Sequence, residues 1–135
     1  MPGKVSSGRT VRADEVVLPL RPSDLEFIRI THEARLHFEQ IEVAIACPFN
    51  LTIAGVVHYL APENRNELGP FLQLYPGQLE AAFLEPDATL QLAFENGARL
   101  VVPPDEVYEA WEIFGPGESS IECAPGHAGK VVIWS

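Results

Sequence analysis

Two stretches of this chain alternate apolar with polar residues on either side of a turn; in the first the alternation changes phase midway, and in the second it keeps its phase. Ala34, Leu36 and Phe38 keep one phase, and Ile41, Val43 and Ile45 keep the other. A two-residue loop at Glu39–Gln40 pairs Phe38 with Ile41, Leu36 with Val43 and Ala34 with Ile45, so all six share one face. That loop lacks the Gly or Asn of a tight hairpin, so a bulge in one long strand is the alternative. The second stretch has a stronger turn signal at Asn96–Gly97. A two-residue loop there scatters the apolar residues over both faces. A three-residue loop, Glu95–Asn96–Gly97 with Gly97 left-handed, pairs Phe94 with Ala98, Leu92 with Leu100 and Leu90 with Val102 on one face.

The two hairpins also share residues. Leu36-His37-Phe38-Glu39-Gln40 matches Leu92-Ala93-Phe94-Glu95-Asn96, and Phe27-Ile28 matches Phe83-Leu84 at the same offset of 56. This is either an internal duplication of a three-stranded meander or a chance sharing of L-x-F by two ordinary hairpins. Further strands are expected at Val16–Leu20, Glu26–Ile30, Asn50–Tyr59 and Gln78–Leu84, with a last hairpin from Ile121–Cys123 to Val131–Trp134. Leu68, Phe71, Leu72 and Tyr75 follow helical spacing, which predicts one short helix within 64–75. Pro70 fits only near its start, and Pro76–Gly77 stops it. The fold expected is α+β, mostly β: a curved antiparallel sheet of two related hairpin or meander units with one helix packed on it.

At 135 residues the chain is the size of one domain, and folding should remove about two-thirds of its surface from water. Residues 1–13, rich in Gly, Ser and bases without periodicity, are expected to be a flexible tail, and 14–135 a single globular domain. Met1–Arg12 has no apolar core of a signal peptide. The longest apolar stretch, Ile41–Ala61, is interrupted by Glu42, Pro48 and Asn50, so it does not read as a membrane span. The cytoplasm is the expected compartment.

Charge narrows the function classes. The net charge is −10, from 9 Lys and Arg against 19 Asp and Glu. Six of the bases but only five of the acids fall in residues 1–35, leaving three bases against fourteen acids in the remainder. Such a surface repels phosphate backbones and anionic membranes, and it accelerates encounter with a basic protein.

No catalytic or metal-binding constellation is present. Gly115-Pro116-Gly117 is the nearest approach to a phosphate loop, but its proline removes a donor. Cys47 and Cys123 fit neither a disulfide framework nor a zinc spacing and read as buried thiols. His32, His37, His58 and His127 have no companion ligands in the sequence. No catalytic residue, cofactor or metal ligand is therefore assigned.

The segment Asp105-Glu106-Val107-Tyr108-Glu109-Ala110-Trp111-Glu112 holds four acids and two large aromatics. Tyr108 and Trp111 are either core anchors, or the hot spots of an acidic patch that recognises a basic partner. On the second reading Glu106, Glu109 and Glu112 carry the binding, with Asp105 next.

The run Leu90–Trp134 resembles a family of small, functionally uncharacterised bacterial proteins common in actinobacteria. The shared features are Leu92, Phe94, Gly97 and Leu100 of the hairpin, then Pro103, Asp105, Tyr108-Glu109-Ala110-Trp111, Pro125-Gly126 and Trp134. Pro48-Phe49 fits as well, whereas His127 stands where Pro-Gly-Gly is usual. The resemblance brings no catalytic residues. In size and acidity it brings an analogy with immunity proteins that neutralise bacterial toxins. The leading expectation is a non-enzymatic binding protein whose acidic surface covers a basic, toxin-like partner. A small-ligand binder or minor enzyme in the cup of the sheet, and a homodimer joined through sheet edges, are the alternatives.

Overall fold

The computed structural model describes residues 8–18, 20–39 and 41–135. The strands are β1 (Gly8–Arg12), β2 (Ser23–Ile30), β3 (Ala34–Phe38), β4 (Glu42–Ile45), β5 (Phe49–Ile53), β6 (Val56–Leu60), β7 (Gln78–Leu84), β8 (Leu90–Phe94), β9 (Arg99–Val102), β10 (Trp111–Phe114), β11 (Ser120–Cys123) and β12 (Lys130–Trp134). They form one open antiparallel sheet in the order β1-β12-β11-β10-β4-β3-β2-β7-β8-β9-β5-β6. The α+β, mostly β reading of the sequence describes this architecture.

Both hairpin registers follow the apolar pattern. Leu36 faces Val43 and Ala34 faces Ile45, and the Phe38 amide donates to the Ile41 carbonyl at 2.8 Å. Leu92 faces Leu100 and Leu90 faces Val102. The three-residue loop is present too: the Phe94 amide donates to the Ala98 carbonyl at 2.9 Å, and Gly97 sits at φ 91°, where only glycine is unstrained.

The pairings align β2-β3-β4 with β7-β8-β9. Ile28–Leu36–Val43 runs across the first meander as Ala82–Leu92–Leu100 runs across the second. Each meander carries a bulge at the same place, between Leu25 and Phe27 and between Leu79 and Ala81. By this register Phe27 corresponds to Ala81, so the sequence match of Phe27-Ile28 to Phe83-Leu84 is two residues out of step. The meanders meet edge to edge, with Asp24 opposite Gln78 and Ser23 opposite Leu79. The Leu25 amide donates to the Gly77 carbonyl at 2.8 Å, which mirrors the Ser23–Leu79 pair and places a local two-fold axis between Asp24 and Gln78.

The hairpin that follows each meander joins the other one. β5–β6 pairs with β9, where Leu51 opposes Leu100, and β10–β11 pairs with β4, where Ile113 opposes Val43. Each half thus completes its partner's sheet.

The apolar faces of both halves bury into a single core. Phe38 and Phe94, equivalent residues of the two meanders, lie 6.4 Å apart between ring centroids. Trp111 of β10 donates its indole N–H to the carbonyl of Ala88 in the β7–β8 turn at 2.9 Å. β4, β3 and β2 separate those elements in the strand order, so the sheet curls back on itself.

Four sequence expectations change. Residues 8–12, placed in a flexible tail, form β1 against β12; residues 1–7 lie outside the described residues. Val16–Leu18 and Leu20 are in no strand, and residue 19 is not described. Asn50–Tyr59 is not one strand but the β5–β6 hairpin, turning at Ala54 and Gly55, both at positive φ (51° and 79°). That is the geometry of a type I′ turn, which Ala seldom enters. The helix expected within 64–75 is a 3₁₀ turn at Arg65–Glu67 followed by α1 (Gly69–Leu72). Pro70 has no amide to donate, and i→i+3 bonds carry the chain on to Tyr75. With three residues per turn the buried stripe becomes Leu68, Phe71 and Leu74, and Leu72 and Tyr75 face solvent. Phe71 packs edge-on against Phe49 at 5.5 Å, closing one end of the core.

Candidate protein-binding surface

β9 ends at Pro103-Pro104, which offer no amide to a neighbouring strand. The chain then turns on Asp105, whose carboxylate accepts the backbone N–H groups of Val107 at 2.9 Å and Tyr108 at 3.0 Å. These bonds hold the Asp105 carboxyl below its ordinary range. The Gly126 amide donates to the Asp105 carbonyl at 2.7 Å and ties the turn to the β11–β12 loop. The turn drives two large side chains outward: Val107 is 66% exposed and Tyr108 65%. Burial resumes at Ala110, whose carbonyl accepts the Ala46 amide at 2.9 Å as the chain enters β10.

Between this loop and the β4–β5 connection runs a cleft of about 470 Å³, lined by His32, Cys47, Pro48, Glu63, Asp105 and Tyr108 among others, with no Lys or Arg. Cys47 lies at its floor. Burial, and then the negative charges of Asp105, Glu109 and Glu63, push the Cys47 thiol up to about 11. A thiol so placed stays protonated at neutral pH, the reverse of what a cysteine nucleophile needs. Glu106 stands at the outer rim, 3.8 Å from His127.

The six residues singled out in the sequence therefore divide. Asp105, Glu106, Tyr108 and Glu109 gather on one exposed loop. Trp111 does not join them: it is fully buried, because β10 pairs with β4 there and the indole N–H finds its acceptor inside the core. Glu112 lies on the outer sheet face, opposite Ala44 and Glu122. Burial raises its pKa; a Ser120 hydrogen bond opposes the rise, and the charges of Glu122 and Glu33 add to it. Near it on that face Arg35 contacts Glu42 at 2.6 Å and Arg29 contacts Glu42 at 3.0 Å. Sequence reasoning missed Glu63, His32 and Val107. The first two come from distant turns, and Val107 carries no signal other than being apolar.

A family model matches residues 16–135, which include the whole of Leu90–Trp134. The chain belongs to the family of unknown function DUF6188. No curated protein and no solved structure matches this DUF6188 chain. Among its described residues no group of three or more His, Cys, Asp or Glu is arranged to hold a metal ion. No helix among them is long and apolar enough to cross a membrane.

Proposed function

We propose that this chain is a non-enzymatic protein-binding domain that seats a basic segment of a partner against the Asp105–Glu109 loop and its cleft. The supporting observation is the exposure of Val107 and Tyr108 beside Glu63, Asp105, Glu106 and Glu109, with no cation lining the cleft. An exposed Tyr ring offers its face to Lys or Arg, apolar and aromatic residues supply anchoring area, and surrounding carboxylates steer a cation inward. The same arrangement disfavours phosphate-bearing partners. By analogy of size and charge, the partner is a basic bacterial toxin or toxin-like protein, and the chain acts as an immunity-type protein in the cytoplasm.

The test is affinity capture from the source cell with the natural chain and with a Tyr108→Ala/Glu109→Lys variant. A basic protein held at about 0.05 M salt, shed at about 0.5 M and ignored by the variant is the expected result. An acidic ligand, salt-insensitive capture, or equal capture by the variant overturns the reading.

A further inference from the structure

The internal two-fold relates β11 to β6, yet the two strands end differently. β11 is covered on its outer side by β12, with Ser120 opposite Trp134 and Ile121 opposite Ile133, and β1 adds a further strand. Among the described residues β6 has a strand neighbour on one side only. An open strand edge presents unpaired amides and carbonyls in a row, and proteins blunt such edges with Lys, Pro, bulges or short length. β6 carries no Lys, Pro or bulge, and Val56, Val57 and Tyr59 are 55%, 48% and 77% exposed.

We propose that β6 pairs antiparallel with β6 of a second copy of this chain, joining two sheets into one across a two-fold axis at His58. Two observations name that occupant. First, Val56-Val57-His58-Tyr59 has the pattern of Val131-Val132-Ile133-Trp134, the strand that covers the equivalent edge, so β6 itself offers the kind of strand that its position accepts. Second, no charged residue occurs between Glu42 and Glu63. In a chain of net charge −10, two copies repel across most approaches, and β6 is an edge where they meet without opposing carboxylates. In this register Val57 faces Tyr59 of the second copy twice, a β-branched–aromatic pair of the kind that stabilises sheets. The His58 side chains face each other, and Val56 faces Leu60.

The experiment is a concentration series of the full chain by sedimentation equilibrium, beside Val57→Lys/Tyr59→Lys, which places four cations at the junction. The natural chain should pass from monomer to dimer, and the variant's dissociation constant should rise at least about tenfold. Matched thermal unfolding of the monomers checks that the exposed substitutions leave the fold intact. Register is read by oxidising His58→Cys and, separately, Val56→Cys. Facing β-carbon atoms at the axis bring position 58 within disulfide reach, about 4.5–5.5 Å between α-carbons, so covalent dimer should form from the first and not the second. A chain that stays monomeric throughout, with or without concentration-independent protection of the β6 amides, overturns the proposal. So does a dimer indifferent to the lysine pair.

Discussion

Phe38 and Phe94 are each other's image across the local two-fold, and their rings meet at 6.4 Å in the centre of the core. Each closes the inner row of its own meander, so the contact is where the two halves are welded by side chains as well as by β2 and β7.

Truncating either ring should therefore damage both halves together. Phe94→Ala, at a site 3% exposed, is expected to cost about 3–5 kcal/mol. Urea unfolding should lose midpoint while remaining one transition. Two separated transitions would show that the halves are independent.

The two aromatics of the 105–112 segment should behave oppositely. Trp111→Phe empties part of the core and strips the Ala88 carbonyl of its 2.9 Å donor, at a cost of about 1–3 kcal/mol. Tyr108→Ala, in solvent, should change stability by no more than about 0.5 kcal/mol while weakening partner capture. Thermal unfolding of the two variants side by side checks the contrast.

Glu42 should support the fold above the acid range. Burial alone would raise its pKa, but hydrogen bonds from Arg35 and His37 and the charge of Arg29 bring it below the ordinary value. A depressed folded-state pKa gives stability that is present above the unfolded-state pKa and lost as pH falls through the folded one. Glu42→Gln should cost about 1–3 kcal/mol at neutral pH, and the difference from the natural chain should vanish at low pH.

Glu112 should show the opposite sign. Its pKa is raised by burial and by the facing charges of Glu122 and Glu33, so the folded state holds its proton more tightly than the unfolded one. The penalty is complete above the folded-state pKa and fades as pH drops towards the unfolded value. Glu112→Gln should raise the urea midpoint at neutral pH and lose that advantage in acid; a loss of stability at neutral pH would refute this.

Cys47 should react slowly with alkylating agents at neutral pH, since burial and three carboxylates hold its thiol near 11. Glu63→Gln with Glu109→Gln should speed the reaction, by about tenfold for each unit the pKa falls. Cys123, fully buried, should stay unmodified until the chain unfolds. Mass spectrometry of timed samples separates the two sites.

Local pattern made part of this structure readable beforehand. The change of phase after Phe38 and the unchanged phase across Phe94–Ala98 dictate the two hairpin registers, because any other pairing turns leucines outward. The Ala54–Gly55 turn escaped notice since Ala carries no turn signal, and Pro70 broke a helix whose periodicity looked intact. The exchange of hairpins was invisible: Leu51 and Val43 have equally apolar neighbours, and nothing nearby in sequence says which meander each hairpin joins. At the candidate surface, Asp105 through Glu109 were legible as one acidic segment. Glu63 and Cys47 reach the cleft only through strand pairings distant in sequence, β10 on β4 and β5 on β6 and β9, and the burial of Trp111 depends on a carbonyl 23 residues away.

The crossed arrangement of β5–β6 on β9 and β10–β11 on β4 bears on how the polypeptide emerges from the ribosome. When the first half has been released, its closing hairpin has nowhere to dock, and its meander lacks the strand that will shield β4. Synthesis must proceed past Val102 before the early hairpin finds its seat, and past Phe114 before the early meander is sealed. The nascent chain thus carries two unfinished borders for most of translation, and it matures late and all at once rather than half by half.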